Sequence, residues 1–396
     1  MSSKINPKNG LVLITAITII LLLTYRVVPP KDAVTQIRNI LQTPRSEELY
    51  LLSDKNVPLT DNNFRILYWT TFFQTKIAEK SVPCGNITCH ITHNRNFLNS
   101  SHAVLFHAWE PDMIVASSKR NPQARKNIPN IRYYNQYWVL IGLEPPMFFT
   151  RHLQSFGDLF NWTATYRSDS DVYFPYGQFQ KLPTPAKYND TQHLTKRKKL
   201  VSIILSNCKD VPSKRLKMIA ELQKHIQVDV YGKCGNLKCD DKSRSKIDCK
   251  RTLGKEYKFY LSFENSICQD YVSEKLFQAY LGEMVPIVLG GGNYDRIVPP
   301  GSYINVNSFS TAKALTDYLL LLDTHDDKYL QYFEWKQNYI LKTMEDFDGA
   351  YCGICQKLAV DLPAGKTSVI PNITDFMLNF RGHQPRCWSP VIWQGV

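Results

Sequence analysis

The alternation of strand-like and helix-like patterns in the second half of the chain restricts the fold more than any other feature. Continuous apolar runs such as "LVSIILSN" and "VPIVLGG" are typical of strands buried on both faces of a sheet. Between them, "SKRLKMIAELQKHI" places Leu216, Ile219, Leu222 and Ile226 on one face of a helix. This repetition predicts an α/β fold with a doubly wound parallel sheet, whose ligand binds beyond the carboxyl ends of the strands.

A further α/β domain is predicted in the first half. "FRILYWTTFF", "SHAVLFHAW" and "YWVLIGLE" have the aromatic and β-branched content of buried strands. The stretch between the two domains contains two prolines and the basic run "KRKK", which is typical of a solvated linker. We therefore predict an N-terminal domain at 61–180, a linker at 181–199, a second domain at 200–350 and a C-terminal segment at 351–396.

An uncharged apolar run at 11–25 begins shortly after the N-terminus. It is shorter than the roughly 20 residues of a typical membrane span, so a cleaved signal peptide stays open as an alternative. No small-x-small cleavage site follows the run, which favours a retained signal anchor. We predict a cytosolic tail at 1–10, a transmembrane anchor at 11–25 and a stem at 26–60, and both alternatives place the rest of the chain in a lumen.

Ten cysteines agree with a lumenal compartment, where disulfides are a better interpretation than zinc ligands. Asn-x-Ser/Thr triplets add candidate glycosylation sites, each a weak signal alone. These triplets begin at Asn86, Asn99, Asn161, Asn189 and Asn372.

The formal net charge is +13. A charge of this size suggests nucleic acid as a partner. We exclude nucleic acid because a translocated domain does not meet it. The excess positive charge suits an anionic small molecule such as a nucleotide diphosphate.

Polar residues crowd one strand-to-helix junction, in "YKFYLSFENSICQDYVSEKLFQAY". Ser273 is a plausible N-cap, and a helix N-terminus with Lys275 in its first turn can hold a phosphate. Arg215 occupies the corresponding position after the preceding strand. Taken alone, a Lys-Glu pair in a first turn is more often an exposed ion pair. The polar residues of the junction are Glu264, Asn265, Asp270, Tyr271, Glu274 and Lys275.

The same stretch resembles the signature of the α1,3-fucosyltransferases, glycosyltransferase family 10, and "PIVLGGGNYDRIVPPGSYINV" resembles the segment that follows it there. "HAVLFH", "LEPP" and "LFNWTATYRSDSDVYFPYG" are similar to acceptor-domain motifs of that family. The resemblance covers about Phe64 to Cys387. It implies a single-pass type II Golgi membrane protein with a lumenal catalytic domain and the GT-B architecture, in which two Rossmann-like domains face each other across a cleft.

The resemblance also implies the reaction. L-Fucose would pass from GDP-β-L-fucose, with inversion, to O3 of an N-acetylglucosamine in a glycoprotein glycan, either in the core of N-glycans or in an outer-arm unit. Such a displacement needs one base and a stabilised leaving group. Two alternatives stay open: a membrane-tethered glycan-binding relic without turnover, and a transferase that uses another nucleotide sugar.

Residue by residue, the resemblance makes Glu144 of "LEPP" the general base. Arg215 and Lys275 match the cations on the GDP phosphates. The other implied donor-site residues are Asn265, Tyr271, Glu274, Tyr166 and Arg167.

Two further motifs concern metals and disulfides. Asp169 and Asp171 of "YRSDSD" would suit a metal, but the two cations and the helix terminus already supply that charge, so we predict no metal site. No cofactor is required, and a divalent cation at most stimulates activity.

In the family, a C-terminal CxxC is disulfide-linked near the start of the catalytic domain and packs back on the N-terminal domain. The candidate cysteines are Cys84, Cys89, Cys352 and Cys355.

Overall fold

The computed structural model describes most residues of the unit Ser46–Val396. The predicted tail and anchor, and most of the predicted stem, lie outside the described residues. Within the described ranges, no helix combines the length and the apolar composition that crossing a membrane requires. The described residues are 51–58, 62–110, 113, 128–148, 156–188, 192–239, 246–344, 348–366, 368–379, 386–389 and 393.

A mostly parallel sheet forms the centre of the first half. The strands of this half are β1 (Leu51–Ser53), β2 (Asn63–Tyr68), β3 (Lys80–Cys84), β4 (Ile87–Thr92), β5 (Ala103–His107), β6 (Ile131–Tyr133), β7 (Tyr137–Gly142), β8 (Trp162–Thr165), β9 (Val172–Tyr173) and β10 (Gly177–Lys181). Seven of them form a sheet in the order β3-β4-β2-β5-β7-β8-β9, and only the β3–β4 pair is antiparallel. Every residue of β5 and β7 is buried, which explains their continuous apolar sequences.

The second half contains a five-stranded parallel sheet. Its strands and those that follow are β11 (Lys199–Ile204), β12 (Val228–Tyr231), β13 (Tyr257–Phe263), β14 (Ile267–Cys268), β15 (Val285–Leu289), β16 (Ile304–Asn305), β17 (Tyr339–Thr343) and β18 (Cys387–Trp388). The sheet order is β12-β11-β13-β15-β16, which is 2-1-3-4-5 when these five strands are counted along the chain. The order therefore reverses between β11 and β13, where doubly wound sheets bind ligands. Outside the two sheets, β1 pairs with β6, β10 with β17, and β14 with β18.

Helices connect and cover these strands. The α-helices are α1 (Gln192–Thr195), α2 (Arg215–Leu222), α3 (Lys246–Leu253), α4 (Glu274–Leu281), α5 (Tyr294–Ile297), α6 (Ala312–Thr324), α7 (Asp326–Gln331), α8 (Gly349–Asp361) and α9 (Ile373–Leu378). Short 3-10 helices occur at Arg95–Ser100, Pro146–Phe148, Val306–Ser308 and Glu334–Gln337. The predicted α/β class is confirmed.

One hydrophobic core joins the two halves. Tyr271 and Phe277, from the junction and from α4, belong to the same buried cluster as Ile66 and Tyr166 of the first half. A Cβ atom at Gly177 would lie 2.6 Å from the Phe277 ring, so a side chain there would displace that ring. Helix α4 is therefore wedged between the two sheets, and its N-terminus is fixed with respect to both.

Five disulfide bonds pair all ten cysteines, in agreement with the disulfide interpretation. Cys84–Cys352 and Cys89–Cys355 attach α8 to β3 and β4. The C-terminal segment thus returns to the first half. The other pairs are Cys208–Cys234, Cys239–Cys249 and Cys268–Cys387.

Two sequence predictions differ from the structure. Asn161 is not a possible glycosylation site in this fold, because its side chain is buried and its amide nitrogen donates to the Ser368 carbonyl. The linker is not fully solvated either: Arg197 of "KRKK" is buried and donates to the Glu283 carbonyl. Asn189 lies outside the described residues, whereas the other candidate asparagines are exposed: Asn86, Asn99 and Asn372.

Candidate active site

The candidate site lies at the carboxyl ends of β11 and β13. Glu264 and Asn265 follow β13 directly, and Arg215 opens α2 in the segment after β11. Because β11 and β13 are neighbours where the strand order reverses, the two segments meet at the edge where a ligand of this fold binds. The sequence-predicted residues of the second half are thus brought together.

Glu264 organises the junction. Its buried carboxylate accepts hydrogen bonds from the Ser273 backbone N–H at 2.8 Å and from the Ser273 hydroxyl at 2.9 Å. The other carboxylate oxygen lies 3.0 Å from Lys275 Nζ. In the sequence, the one signal for Glu264 is a carboxylate directly after a mostly apolar strand, and that signal predicts no role for it.

Lys275 is held as a cation at the start of α4. Its Nζ contacts Glu264 at 3.0 Å, Glu274 at 3.5 Å and the Ser273 hydroxyl at 2.7 Å. Burial lowers the pKa of Lys275, but the carboxylates of Glu264, Glu274 and Glu144 more than offset that effect, and the net pKa is raised above its usual value. The amine is therefore charged at every physiological pH.

Arg215 places a second cation at the same edge. It is buried, and its two terminal nitrogens donate to the carbonyls of Phe263 at 3.3 Å and Asn207 at 3.4 Å. Its Nε has no hydrogen-bond partner in the part of the chain that the structure describes. Burial lowers the pKa of Arg215, although a guanidinium keeps its charge in proteins. An anion at this edge would offset the cost of burying that charge.

Glu144 approaches the junction from the other sheet. It lies two residues after β7 and is half-buried. Burial raises its pKa above the usual range, and the neighbouring carboxylates of Glu274 and Glu264 raise it further, while Lys275 and a hydrogen bond from the Asn265 side chain act in the opposite direction. A carboxylate with a raised pKa is a better proton acceptor than an ordinary one.

A cavity of about 680 Å³ opens beside Glu144 and Glu274, which both line it. This volume lies within the range of small-molecule sites. Its wall combines these two acids with aromatic side chains. The aromatic lining residues are Phe72, Phe73, Phe174, Tyr176, Phe277 and Tyr351.

Three predicted donor residues lie behind the cavity wall or away from it. Tyr166 and Tyr271 are almost fully buried and pack edge to face, with ring centroids 5.0 Å apart, so they support the wall from behind. Arg167 makes two hydrogen bonds to Asp169 at 2.8 Å and donates to the Phe376 carbonyl at 2.7 Å. Its charge is committed to that pair, and it does not line the cavity.

The carboxylates of "YRSDSD" have protein partners. Asp169 also lies 3.1 Å from Arg386 Nη2. Asp171 accepts hydrogen bonds from the backbone N–H and the hydroxyl of Thr163. Asp171 therefore attaches the loop after β8 to that strand, and Asp169 joins the loop to the C-terminal segment.

Two family models match the chain. Residues 61–177 match the model described as "Fucosyltransferase, N-terminal". Residues 194–376 match "Glycosyltransferase family 10 (fucosyltransferase) C-term". The matches cover both sheets and every candidate site residue.

Similar curated proteins carry the same assignment. The chain is 29% identical to the α-(1,3)-fucosyltransferase C of Drosophila melanogaster, over 94% of this chain and 89% of that protein. It is 36% identical to a 3-galactosyl-N-acetylglucosaminide 4-α-L-fucosyltransferase of Pan troglodytes, over 74% of this chain and 75% of that protein. A crystal structure of an α1,3-fucosyltransferase with GDP-fucose matches with a TM-score of 0.45 and 18% identity, covering 83% of this chain and 96% of that one. From the two family models and the curated relatives, we conclude that the chain belongs to glycosyltransferase family 10, the fucosyltransferases, and is a glycosyltransferase.

Proposed function

We propose that the protein transfers L-fucose from GDP-β-L-fucose, with inversion, to O3 of an N-acetylglucosamine in a glycoprotein glycan. The observation that carries the proposal is the approach of Glu144, at the end of a first-sheet strand, to Lys275 and Asn265 of the second half. Arg215 is buried at the same edge of the second sheet. A direct displacement needs a base on one side of the sugar and stabilised charge on the other. The two halves of the chain each supply one of these requirements.

Glu144 acts as the base in this proposal. Its raised pKa increases its affinity for the proton of the acceptor hydroxyl, and the amide of Asn265 orients the carboxylate. The cavity beside Glu144 is large enough to admit a sugar ring. The proton passes to Glu144 as the oxygen–carbon bond forms, and the bond to GDP breaks.

Lys275, Arg215 and the N-terminus of α4 receive the departing diphosphate. The positive end of the α4 dipole and two cations stabilise the negative charge that develops there. Single preorganised donors of this kind contribute about 2.7 to 4 kcal/mol in studied enzymes. Glu274, which lines the cavity, is suited to a hydroxyl of the fucose or the ribose.

We also propose that the enzyme is anchored in the Golgi membrane as a type II protein, through residues 11–25, with its catalytic domain in the lumen. Five disulfides support an oxidising compartment. Neither a cofactor nor nucleic acid enters this proposal.

The test uses the purified full-length protein and GDP-fucose. We expect fucose transfer to N-acetylglucosamine-containing glycans on an array, with the linkage read by mass spectrometry, and slow hydrolysis of GDP-fucose without acceptor. Glu144→Gln should abolish transfer and retain GDP binding, whereas Glu334→Gln, at an exposed position, should keep full activity. A wild-type protein that binds glycans but leaves GDP-fucose intact would support the relic instead.

A further inference from the structure

The turn between Phe72 and Thr75, at the wall of the cavity, has a backbone that its residues do not favour. Phe72 and Thr75 exchange both backbone hydrogen bonds, at 2.9 and 3.1 Å, and φ is 49° at Phe73 and 62° at Gln74. Positive φ at both central residues characterises a type I′ turn, which strongly favours Asn-Gly or Gly-Gly. Among the described non-glycine residues with positive φ, Phe73 alone is aromatic: the set is Asn62, Phe73, Gln74, Lys214, Asp270 and Glu283.

A buried acid holds this turn in place. Glu110 is fully buried, and its carboxylate accepts hydrogen bonds from the backbone N–H of Gln74 and from the Thr71 hydroxyl. The equally buried His107 lies with Nδ1 2.8 Å from the same carboxylate. Strained backbone persists only where its surroundings determine it, and strain of this kind is concentrated at functional sites. The surroundings that fix this turn are the buried side chains of Glu110 and His107.

The strained turn presents the Phe73 ring at the cavity. The side chain is 37% exposed and lines the same cavity as Glu144 and Glu274. Its ring is supported by Phe72 and His107, with centroids 5.1 and 4.5 Å away and edge-to-face geometry at both contacts. The ring is therefore rigidly mounted while part of its surface stays open.

The contacts with Phe72 and His107 account for only part of the Phe73 side chain, because 37% of it stays exposed. A single exposed apolar side chain is ordinary on a protein surface. At Phe73, however, exposure coincides with a backbone conformation that a bulky residue avoids and that glycine adopts freely. Both features disfavour phenylalanine in the unliganded fold, so a ligand contact explains its presence better.

We propose that Phe73 is a specificity-determining residue, whose ring is a platform for a pyranose of the acceptor glycan beside the sugar that Glu144 deprotonates. The proposal rests on the proposed function and extends it to the acceptor side. The apolar C–H face of a pyranose packs well on an aromatic ring, and binding sites commonly combine such a wall with a few polar groups. Glu144 and Glu274 are among the polar groups that line this cavity.

The variant Phe73→Gly separates acceptor binding from a structural role. A structural role predicts a lower Tm, whereas acceptor binding predicts a higher acceptor KM. Glycine relieves the backbone strain but removes the ring contacts with Phe72 and His107, so we expect the two effects to offset each other and the Tm to stay within about 2 °C of wild type. The acceptor KM should rise about tenfold, which corresponds to the loss of about 1.4 kcal/mol of binding. The KM for GDP-fucose and the rate of acceptor-free donor hydrolysis should not change. Phe73→Tyr, which keeps the ring, should keep the wild-type acceptor KM.

Phe97 offers a matched control. It is 38% exposed in the 3-10 helix Arg95–Ser100, stacks on Arg65 and does not line the cavity. We expect Phe73→Leu to raise the acceptor KM and Phe97→Leu to leave it unchanged. An acceptor KM within twofold of wild type in Phe73→Gly would overturn the proposal.

Failure of the proposed function would look different, since the wild-type protein itself would then transfer no fucose. In that case, calorimetric titration of the wild type and Phe73→Gly with a biantennary N-glycan, in the presence of GDP, measures the platform directly. Equal affinities of the two proteins would reject it, and a weaker Phe73→Gly would support it.

Discussion

At the scale of single residues, the protonation of Glu144 is set by groups from both halves of the molecule. Burial and two neighbouring carboxylates raise its pKa, whereas Lys275 and the Asn265 amide lower it. A base works only when it is deprotonated, so the activity should fall as the pH decreases through this raised pKa. The pH at which activity falls on the acidic side of the profile therefore measures the pKa of Glu144, which its neighbours set.

Asn265→Ala should move that limb to higher pH. The amide donates to the ionised carboxylate, so its loss removes a contribution that lowers the pKa of Glu144. The measurement is kcat/KM for the acceptor as a function of pH, compared with wild type. A lower kcat/KM with an unmoved acidic limb would mean that Asn265 acts on the donor and not through Glu144.

Lys275→Ala should weaken GDP binding by about 100-fold. The amine is the cation of the α4 terminus, and truncating one charge of a buried pair typically costs about 2 to 5 kcal/mol. Titration calorimetry with GDP measures the effect. Lys199→Ala is the control, because Lys199 pairs with Glu256 at an exposed position and should leave GDP affinity unchanged.

Sequence alone identified the residues of the junction because they lie within one strand-to-helix stretch. It could not identify the hydrogen bond from Arg167 to the Phe376 carbonyl, since Phe376 lies 209 residues along the chain. For the same reason, Glu110 carried no signal: its role depends on a turn formed 36 residues earlier. Local pattern predicts local groupings, and contacts between distant segments need the fold.

At the scale of elements, the strands of the second sheet were predictable because continuous burial leaves an unbroken apolar sequence. Helix α2 was predicted from the apolar spacing of Leu216, Ile219, Leu222 and Ile226. Ile219 and Leu222 are buried as that spacing requires. Leu216 is only half-buried, and Ile226 lies beyond the end of the helix. The predicted linker failed at Arg197 because the pairing of its guanidinium with the Glu283 carbonyl, 86 residues away, is invisible in composition.

The two disulfides of α8 should stabilise the fold cooperatively. Cys84–Cys352 and Cys89–Cys355 close nearly the same loop, with separations of 268 and 266 residues. Removing either pair by Cys→Ser changes leaves that long loop closed, and we expect a loss of about 2 kcal/mol. Removing both pairs opens the loop and should cost more than the sum of the two single losses. Guanidinium unfolding measures the three variants, and additive losses would contradict the shared-loop explanation.

At the scale of the whole molecule, the two sheets share one core and are expected to unfold together. Phe277 and Tyr271, from the second half, are buried with the side chains of the first sheet. We therefore expect a single calorimetric transition for the catalytic unit, raised by GDP. Two separable transitions in the wild-type protein would contradict this expectation.

Phe277→Ala tests the same coupling from the core. Truncating a buried phenylalanine typically costs about 3 to 5 kcal/mol, and here the lost contacts join the two halves. The Tm should fall, and the acceptor KM should rise with it, because Phe277 also lines the cavity. Leu319 of α6 is buried in a separate hydrophobic cluster, which is formed by residues of the second half. Leu319→Ala should therefore lower the Tm without raising the acceptor KM.

The two disulfides that attach α8 to β3 and β4 can form only late in synthesis, because their cysteines lie far apart in the chain. Cys84 and Cys89 emerge from the ribosome before Cys352 and Cys355, and at about 5 to 20 residues per second the interval is on the order of tens of seconds. During that time Cys84 and Cys89 are close neighbours in sequence and are free to oxidise with each other. Production of the active protein should therefore depend on a disulfide isomerase in the host, and a secretory host that lacks one should accumulate chains with mispaired cysteines.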